Sequence, residues 1–101
     1  MARVHHMVLL AFKPGTPERT AADFFADLGR LKALLPGMVY FAGGPYCSPE
    51  GLNQGFTHGF LMTFHDAQAR DEYLFHPEHE AVKARHLPAV EKVIAFDFEE
   101  R

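Results

Sequence analysis

Residues 4–12 place apolar side chains on both parities of an extended chain. Val4, Val8, Leu10 and Phe12 share one parity with His6, and Met7, Leu9 and Ala11 share the other with His5. A strand of that kind has to be covered on two sides. Lys13-Pro14-Gly15 ends it, because proline cannot donate to a ladder and glycine relaxes the turn. A helix follows, with Thr16 in the capping position, Pro17 at the first helical position and Glu18 near the positive end of the dipole. Phe24, Leu28, Leu31 and Leu35 recur at spacings of four, three and four, which makes one apolar stripe. Pro36-Gly37 stops the helix.

Met38–Ala42 is predicted to form a short, aromatic-rich second strand. The turn-rich stretch Gly43–Gly55 then predicts a long hairpin connection or a mobile flap. Residues 56–64 form a third strand, with Phe56, His58, Phe60, Met62 and Phe64 on one parity. Asp66 caps a short helix to about Leu74, and His76-Pro77 opens another that reaches Leu87. Val93–Phe98 closes the chain, with Ile94, Phe96 and Phe98 on one parity. The order β-α-β-β-α-β is the split βαβ, ferredoxin-like arrangement. It predicts an α+β subunit, one domain over residues 1–101, whose antiparallel four-stranded sheet carries helices on one face.

Helices on one face leave Met7, Leu9 and Leu61 exposed on the other, a patch larger than a soluble monomer tolerates. Face-to-face pairing with a second copy, giving a dimeric α/β barrel, is the simplest remedy. Composition agrees with one small globular unit: 101 residues, 48% apolar, 23% charged and a net charge of −3. The slight acidity and the lack of a Lys/Arg cluster argue against nucleic acid or a membrane surface as partner. A single cysteine, Cys47, excludes an internal disulfide and suggests a reducing, cytoplasmic setting. No signal peptide is visible at the N-terminus, and no run reaches the ~18 apolar residues of a membrane helix. No phosphate-binding loop and no Gly-x-Ser-x-Gly elbow is present.

Four segments carry a resemblance. They are His6-Met7-Val8-Leu9-Leu10-Ala11-Phe12-Lys13, the central Gly55-Phe56-Thr57-His58-Gly59-Phe60, the turn Tyr73-Leu74-Phe75-His76-Pro77-Glu78-His79, and Phe96-Asp97-Phe98. In identity and spacing the chain resembles the stress-responsive dimeric α/β-barrel (Dabb) family over nearly its whole length. The resemblance implies a ferredoxin-like subunit whose sheet packs on a second copy. For function it implies less, since most members are known only as stress-responsive proteins. A plant polyketide cyclase of the family closes a linear poly-β-keto thioester by aldol condensation without a cofactor. By that resemblance Tyr73 and His79 form a proton-transfer pair, and His6 and His58 are pocket histidines. A pocket tyrosine of that cyclase is replaced here by Leu28, which removes one polar contact and argues for a different substrate.

Read from the residues alone, His6 and His58 lie on the inward parity of their strands, and two imidazoles in an apolar layer need partners. They are either core histidines or the polar end of a small-molecule pocket, with Phe24 and Leu28 on its apolar side. An imidazole near neutrality suits His79 as a general base, and Tyr73 as a donor to an enolate oxygen. Such a pair would sit at a cavity rim and add little to the core. Glu78 and Glu80 would raise the pKa of His79, whereas burial and the helix N-terminus would lower it. His76-x-x-His79 is weak evidence for a metal, and the His-Pro turn explains it better, so neither metal nor cofactor is expected. His65 and His86 are expected to be exposed, and Cys47 lacks an activating base. Two functions stay open: a cofactor-free lyase, cyclase or isomerase acting on a small carbonyl compound, and a non-catalytic stress or ligand-binding protein.

Overall fold

A computed structural model describes residues 2–101. Its elements are β1 (Val4–Phe12), α1 (Glu18–Leu34), β2 (Met38–Pro45), β3 (His58–Phe64), α2 (Ala67–Phe75), α3 (Pro77–His86) and β4 (Val90–Glu99), with a single 3₁₀ turn at Leu87–Ala89. The four strands form one sheet in the order β2-β3-β1-β4, and every pairing is antiparallel. Neither helical crossover joins neighbouring strands: β3 separates β1 from β2, and β1 separates β3 from β4. This is the ferredoxin-like arrangement the patterning predicts.

The inward parity of β1 is buried, with Val4, His6, Val8 and Leu10 at most 6% exposed. Val8 and Leu10 pack in one core with Phe24, Leu28, Leu31 and Leu35 of the α1 stripe and with Phe60, Met62 and Phe64 of β3. Each fully buried leucine or phenylalanine contributes about 1.5–3 kcal/mol relative to exposure. The outward parity tells the opposite story. Met7, Leu9, Ile94, Phe96 and Phe98 are 40–64% exposed. The register sets Met7 against Leu61 and Phe96, and Leu9 against Ile94, so these side chains form one continuous apolar face.

Several boundaries depart from the expectations. Pro17, not Thr16, is the residue before α1, and it caps with no side chain. The Thr16 hydroxyl instead donates to the Lys13 carbonyl at 2.6 Å and closes the turn. Strand β2 runs three positions further than Ala42, and β3 begins at His58 rather than Phe56. A register shift between Met38 and Tyr40 lets Met38 and Phe41 both face the helices despite their opposite parities. Gly37 is required just before it, because a Cβ there would lie 2.4 Å from that of Ala69. The Asp66 cap forms as predicted, accepting from Ala69 N at 2.8 Å, and α3 starts at Pro77 as expected, with His76 Nδ1 accepting from Glu78 N at 3.0 Å.

The β2–β3 connection is tied down rather than loose. Tyr46 N donates to the Thr57 carbonyl at 2.8 Å, Gly51 N to the Tyr46 hydroxyl at 2.9 Å, and Lys92 Nζ to the Gln54 carbonyl at 2.6 Å. Among the described residues no helix is long and apolar enough to cross a membrane.

Candidate functional site

Between the sheet and the helices lies a cavity of ≈270 Å³. Its walls are apolar, with Val8, Leu10, Phe24, Leu28 and Phe60 among them, and its polar groups are His6, Tyr73, His79 and Lys83. Each polar group is there for a local reason. The inward parity of β1 carries His6. The α2 helix ends with Tyr73 turned into the core, and the His76-Pro77 turn starts α3 so that His79 follows on its first inward position. The Tyr73 and His79 rings lie 4.1 Å apart at 32°, and His6 meets Tyr73 edge-on at 5.6 Å. The phenol is thus bracketed by two imidazoles.

The tautomers follow from the partners. His79 Nδ1 lies 3.3 Å from the Leu74 carbonyl, which only accepts, so Nδ1 carries the proton and Nε2 keeps the lone pair. His6 Nδ1 lies 2.6 Å from Asp97 Oδ1. Arg70 donates to the other Asp97 oxygen at 2.6 Å. Burial works against charge on Asp97, but the hydrogen bonds from His6 and Arg70 outweigh it and hold its pKa below the usual carboxylate value. An ionised Asp97 fixes the proton on His6 Nδ1 and leaves Nε2 for a ligand.

Tyr73 is 1% exposed, so it belongs to the core and not to a cavity rim as expected. Burial first, and the Asp97 charge second, push its pKa upward, so it stays protonated as a donor. His79 is 7% exposed and is likewise more enclosed than a rim position. The competition over its pKa is decided by burial, which lowers it; the Leu74 hydrogen bond and Glu80 oppose, and Lys83 adds to the lowering.

The structure therefore gathers His6, Phe24, Leu28, Tyr73 and His79 around one cavity and leaves His58 out. His58 packs between Phe12 and Phe25, with ring centroids 5.2 and 6.0 Å away, and its Nδ1 meets the Thr57 hydroxyl at 2.9 Å. It lines a separate concavity of ≈580 Å³ beneath the β2–β3 connection, with Cys47, Glu50, Leu52 and Asn53. That space is larger but more open to solvent, and the imidazole–phenol cluster lies elsewhere. The expectation that His58 shares a pocket with His6 fails because β3 starts at His58, so its ring sits at the strand end under the connection. His86 also differs from expectation. It is buried, stacks on Phe24 at 4.9 Å, and its Nε2 lies 2.5 Å from Asp27, which Arg85 and Arg30 also engage.

Asp97, Arg70 and Lys83 were not singled out in the sequence. The signal for Asp97 was present: it lies on the inward parity of β4, and the register sets it directly opposite His6. Lys83 lies four residues after His79, hence on the same helix face. Among the described residues no group of three His, Cys, Asp or Glu side chains could hold a metal ion.

Comparison with known proteins agrees with this architecture. The chain is 33% identical over 95 residues to the stress-response A/B barrel domain-containing protein HS1 of Arabidopsis thaliana, covering 94% of this chain and 87% of that protein. It is 26% identical to olivetolic acid cyclase of Cannabis sativa, covering 97% of each chain. Among solved structures it superposes with a TM-score of 0.88 on a dimeric ferredoxin-like protein of unknown function from Jannaschia sp., at 26% identity, covering 97% of this chain and 99% of that one. The model of the stress responsive A/B barrel domain matches residues 4–100, and the chain belongs to that family.

Proposed function

We propose that this protein is a cofactor-independent lyase, cyclase or isomerase that moves a proton on a small carbonyl or polyketide-like compound held between sheet and helices. The observation that carries the reading is the cluster of His79 and His6 around the Tyr73 ring in one apolar cavity. Nε2 of neutral His79 takes a proton from the carbon next to a carbonyl. The electron pair of the broken C–H bond passes to the carbonyl oxygen, and the Tyr73 hydroxyl donates a hydrogen bond to the enolate so formed. The enolate carbon then attacks a second carbonyl, expels a leaving group or is reprotonated at another position, and His79 returns its proton. His6, oriented by Asp97, accepts at Nε2 a hydrogen bond from a hydroxyl of the substrate. The 26% identity to a cyclase over almost its whole length supports this class of chemistry, and Leu28 in the wall speaks for a ligand less polar on that side.

The working unit in this reading is a homodimer closed through the open sheet face, in the reducing interior of the cell. The exposed Met7, Leu9, Ile94, Phe96 and Phe98 and the dimeric relative support the pairing. A non-catalytic ligand-binding role for the same cavity is the rival, favoured by the depth at which Tyr73 is packed. Exchange at carbon separates the two. Small β-dicarbonyl compounds and aryl ketones are incubated with the protein in deuterium oxide, and α-carbon exchange is followed by proton NMR. Exchange faster than buffer and lost in His79→Gln is the expected result. Binding without any catalysed exchange across the panel would leave a binding protein.

A further inference from the structure

Of the residues lining the inner cavity, Lys83 alone carries a permanent charge. It stands one helical turn beyond His79 on the same face of α3. Its ammonium pairs with Glu80 Oε1 at 3.0 Å. Both partners of that ion pair are substantially exposed, with side-chain exposures of 40% and 58%. Such a pair is weak, so exchanging Glu80 for another anion costs little. The opposite wall, from Val8 and Leu10 across to Phe24, Leu28 and Phe60, offers no second charge. The cavity is therefore polarised, with a replaceable cation at one end and aliphatic and aromatic surface at the other. Its ≈270 Å³ corresponds to the space of about nine waters at ~30 Å³ each, so the body it encloses is small.

We infer that the ligand of this cavity is an anion, a small aliphatic or aryl carboxylate whose carboxylate group takes the place of Glu80 on Lys83 while its apolar body lies against Phe24, Leu28 and Phe60. This rests on the cavity being the binding site and adds the chemical class of what it takes. Bound in this way, the carbons next to the carboxylate lie on the His79 side, one helical turn from the ammonium. Lys83 is then a specificity-determining residue. It touches the part of the ligand that does not react. The lowering of the His79 pKa by Lys83 agrees with the two side chains sharing one space.

The test compares hexanoate with hexanamide, and phenylacetate with phenylacetamide, in titrations followed by the NMR signals of the His6 and His79 rings. The wild-type protein should bind each carboxylate about tenfold more tightly than its amide, as a charge-assisted hydrogen bond implies. Lys83→Gln should abolish that difference while leaving amide affinity unchanged, and Lys83→Arg should restore it. Equal affinities in the wild type, or a preference that survives Lys83→Gln, would overturn the inference but keep the cavity as a binding site. If neither member of either pair shifts the two histidines, the binding-site reading falls, and this inference falls with it.

Discussion

His6 and Asp97 face each other across the β1–β4 ladder, and Nδ1 of the imidazole lies 2.6 Å from the carboxylate. Because the same carboxylate accepts from Arg70, one acidic residue on the last strand sets the orientation and tautomer of a histidine on the first and tethers α2 to both. Asp97→Asn should therefore act twice. Loss of two charge-assisted hydrogen bonds should lower stability by about 1.5–3 kcal/mol. The amide should also release the constraint on the His6 tautomer. Nitrogen-15 NMR of the imidazoles should show His6 held as the Nδ1–H form in the wild type and mixed in Asp97→Asn, with His79 unchanged.

Acid should affect the site through His79. Its folded-state pKa is lowered by burial, so the native protein binds that proton less readily than the unfolded chain does. Stability from this group is complete above the unfolded value near 6.5 and declines as the pH falls below it toward the folded-state value. Asp97, with its own pKa depressed, contributes in the same direction at lower pH, its share being lost as the pH falls below the ordinary carboxylate range. For activity, the acidic limb of the profile should have its midpoint below 6.5. Lys83→Gln should move it upward, since Lys83 is one cause of the lowering. A midpoint above 6.5 in the wild type would remove His79 as the titrating base.

Much of the fold was legible in the chain because two periodicities coincide with punctuation. The α1 stripe lies between Pro14-Gly15 and Pro36-Gly37, the first of which also ends the two-sided β1, and the His76-Pro77 turn carries its own cap. What escaped depends on contacts between distant segments. The register shift at Val39 arises from fitting both Met38 and Phe41 under the helices, which no local pattern states. The burial of His86 depends on Asp27, 59 positions earlier, whose charge is held by two arginines from different helices. For the site, parity placed His6 and periodicity placed Phe24 and Leu28. The separation of His58 from the cluster follows from where β3 begins, a boundary set by the path of the β2–β3 connection rather than by the strand itself.

Packing and chemistry should separate by substitution at neighbouring positions. Tyr73→Phe keeps the buried ring and removes only its hydroxyl, so stability should change by less than about 1 kcal/mol while catalysed exchange falls. Leu28→Ala should cost about 2–5 kcal/mol, since Leu28 is 2% exposed and part of the α1 stripe. His79→Ala, which empties a place beside Tyr73, should also destabilise, by about 2–3 kcal/mol. His79→Gln is therefore the cleaner functional probe. Urea denaturation of the four variants gives the comparison.

Assembly is tested at the open face. A charge placed among Met7, Leu9, Ile94 and Phe96 would be desolvated on pairing, so Leu9→Glu or Phe96→Glu should yield monomer or aggregate where the wild type sediments at twice the monomer mass. The interface should bury at or above ~1,600 Å². A well-folded wild-type monomer at micromolar concentration would refute the pairing.

The central claim is that His79 addresses an acidic carbon of a ligand held beside Tyr73. A crystal structure of the protein soaked with a β-dicarbonyl carboxylate tests it most directly. The account predicts that the carbon between the two carbonyl groups lies within roughly 3.5 Å of His79 Nε2 and that one carbonyl oxygen is within hydrogen-bond distance of the Tyr73 hydroxyl. A ligand seated instead in the concavity beneath the β2–β3 connection, against Cys47 and His58 with the inner cavity empty, would contradict it.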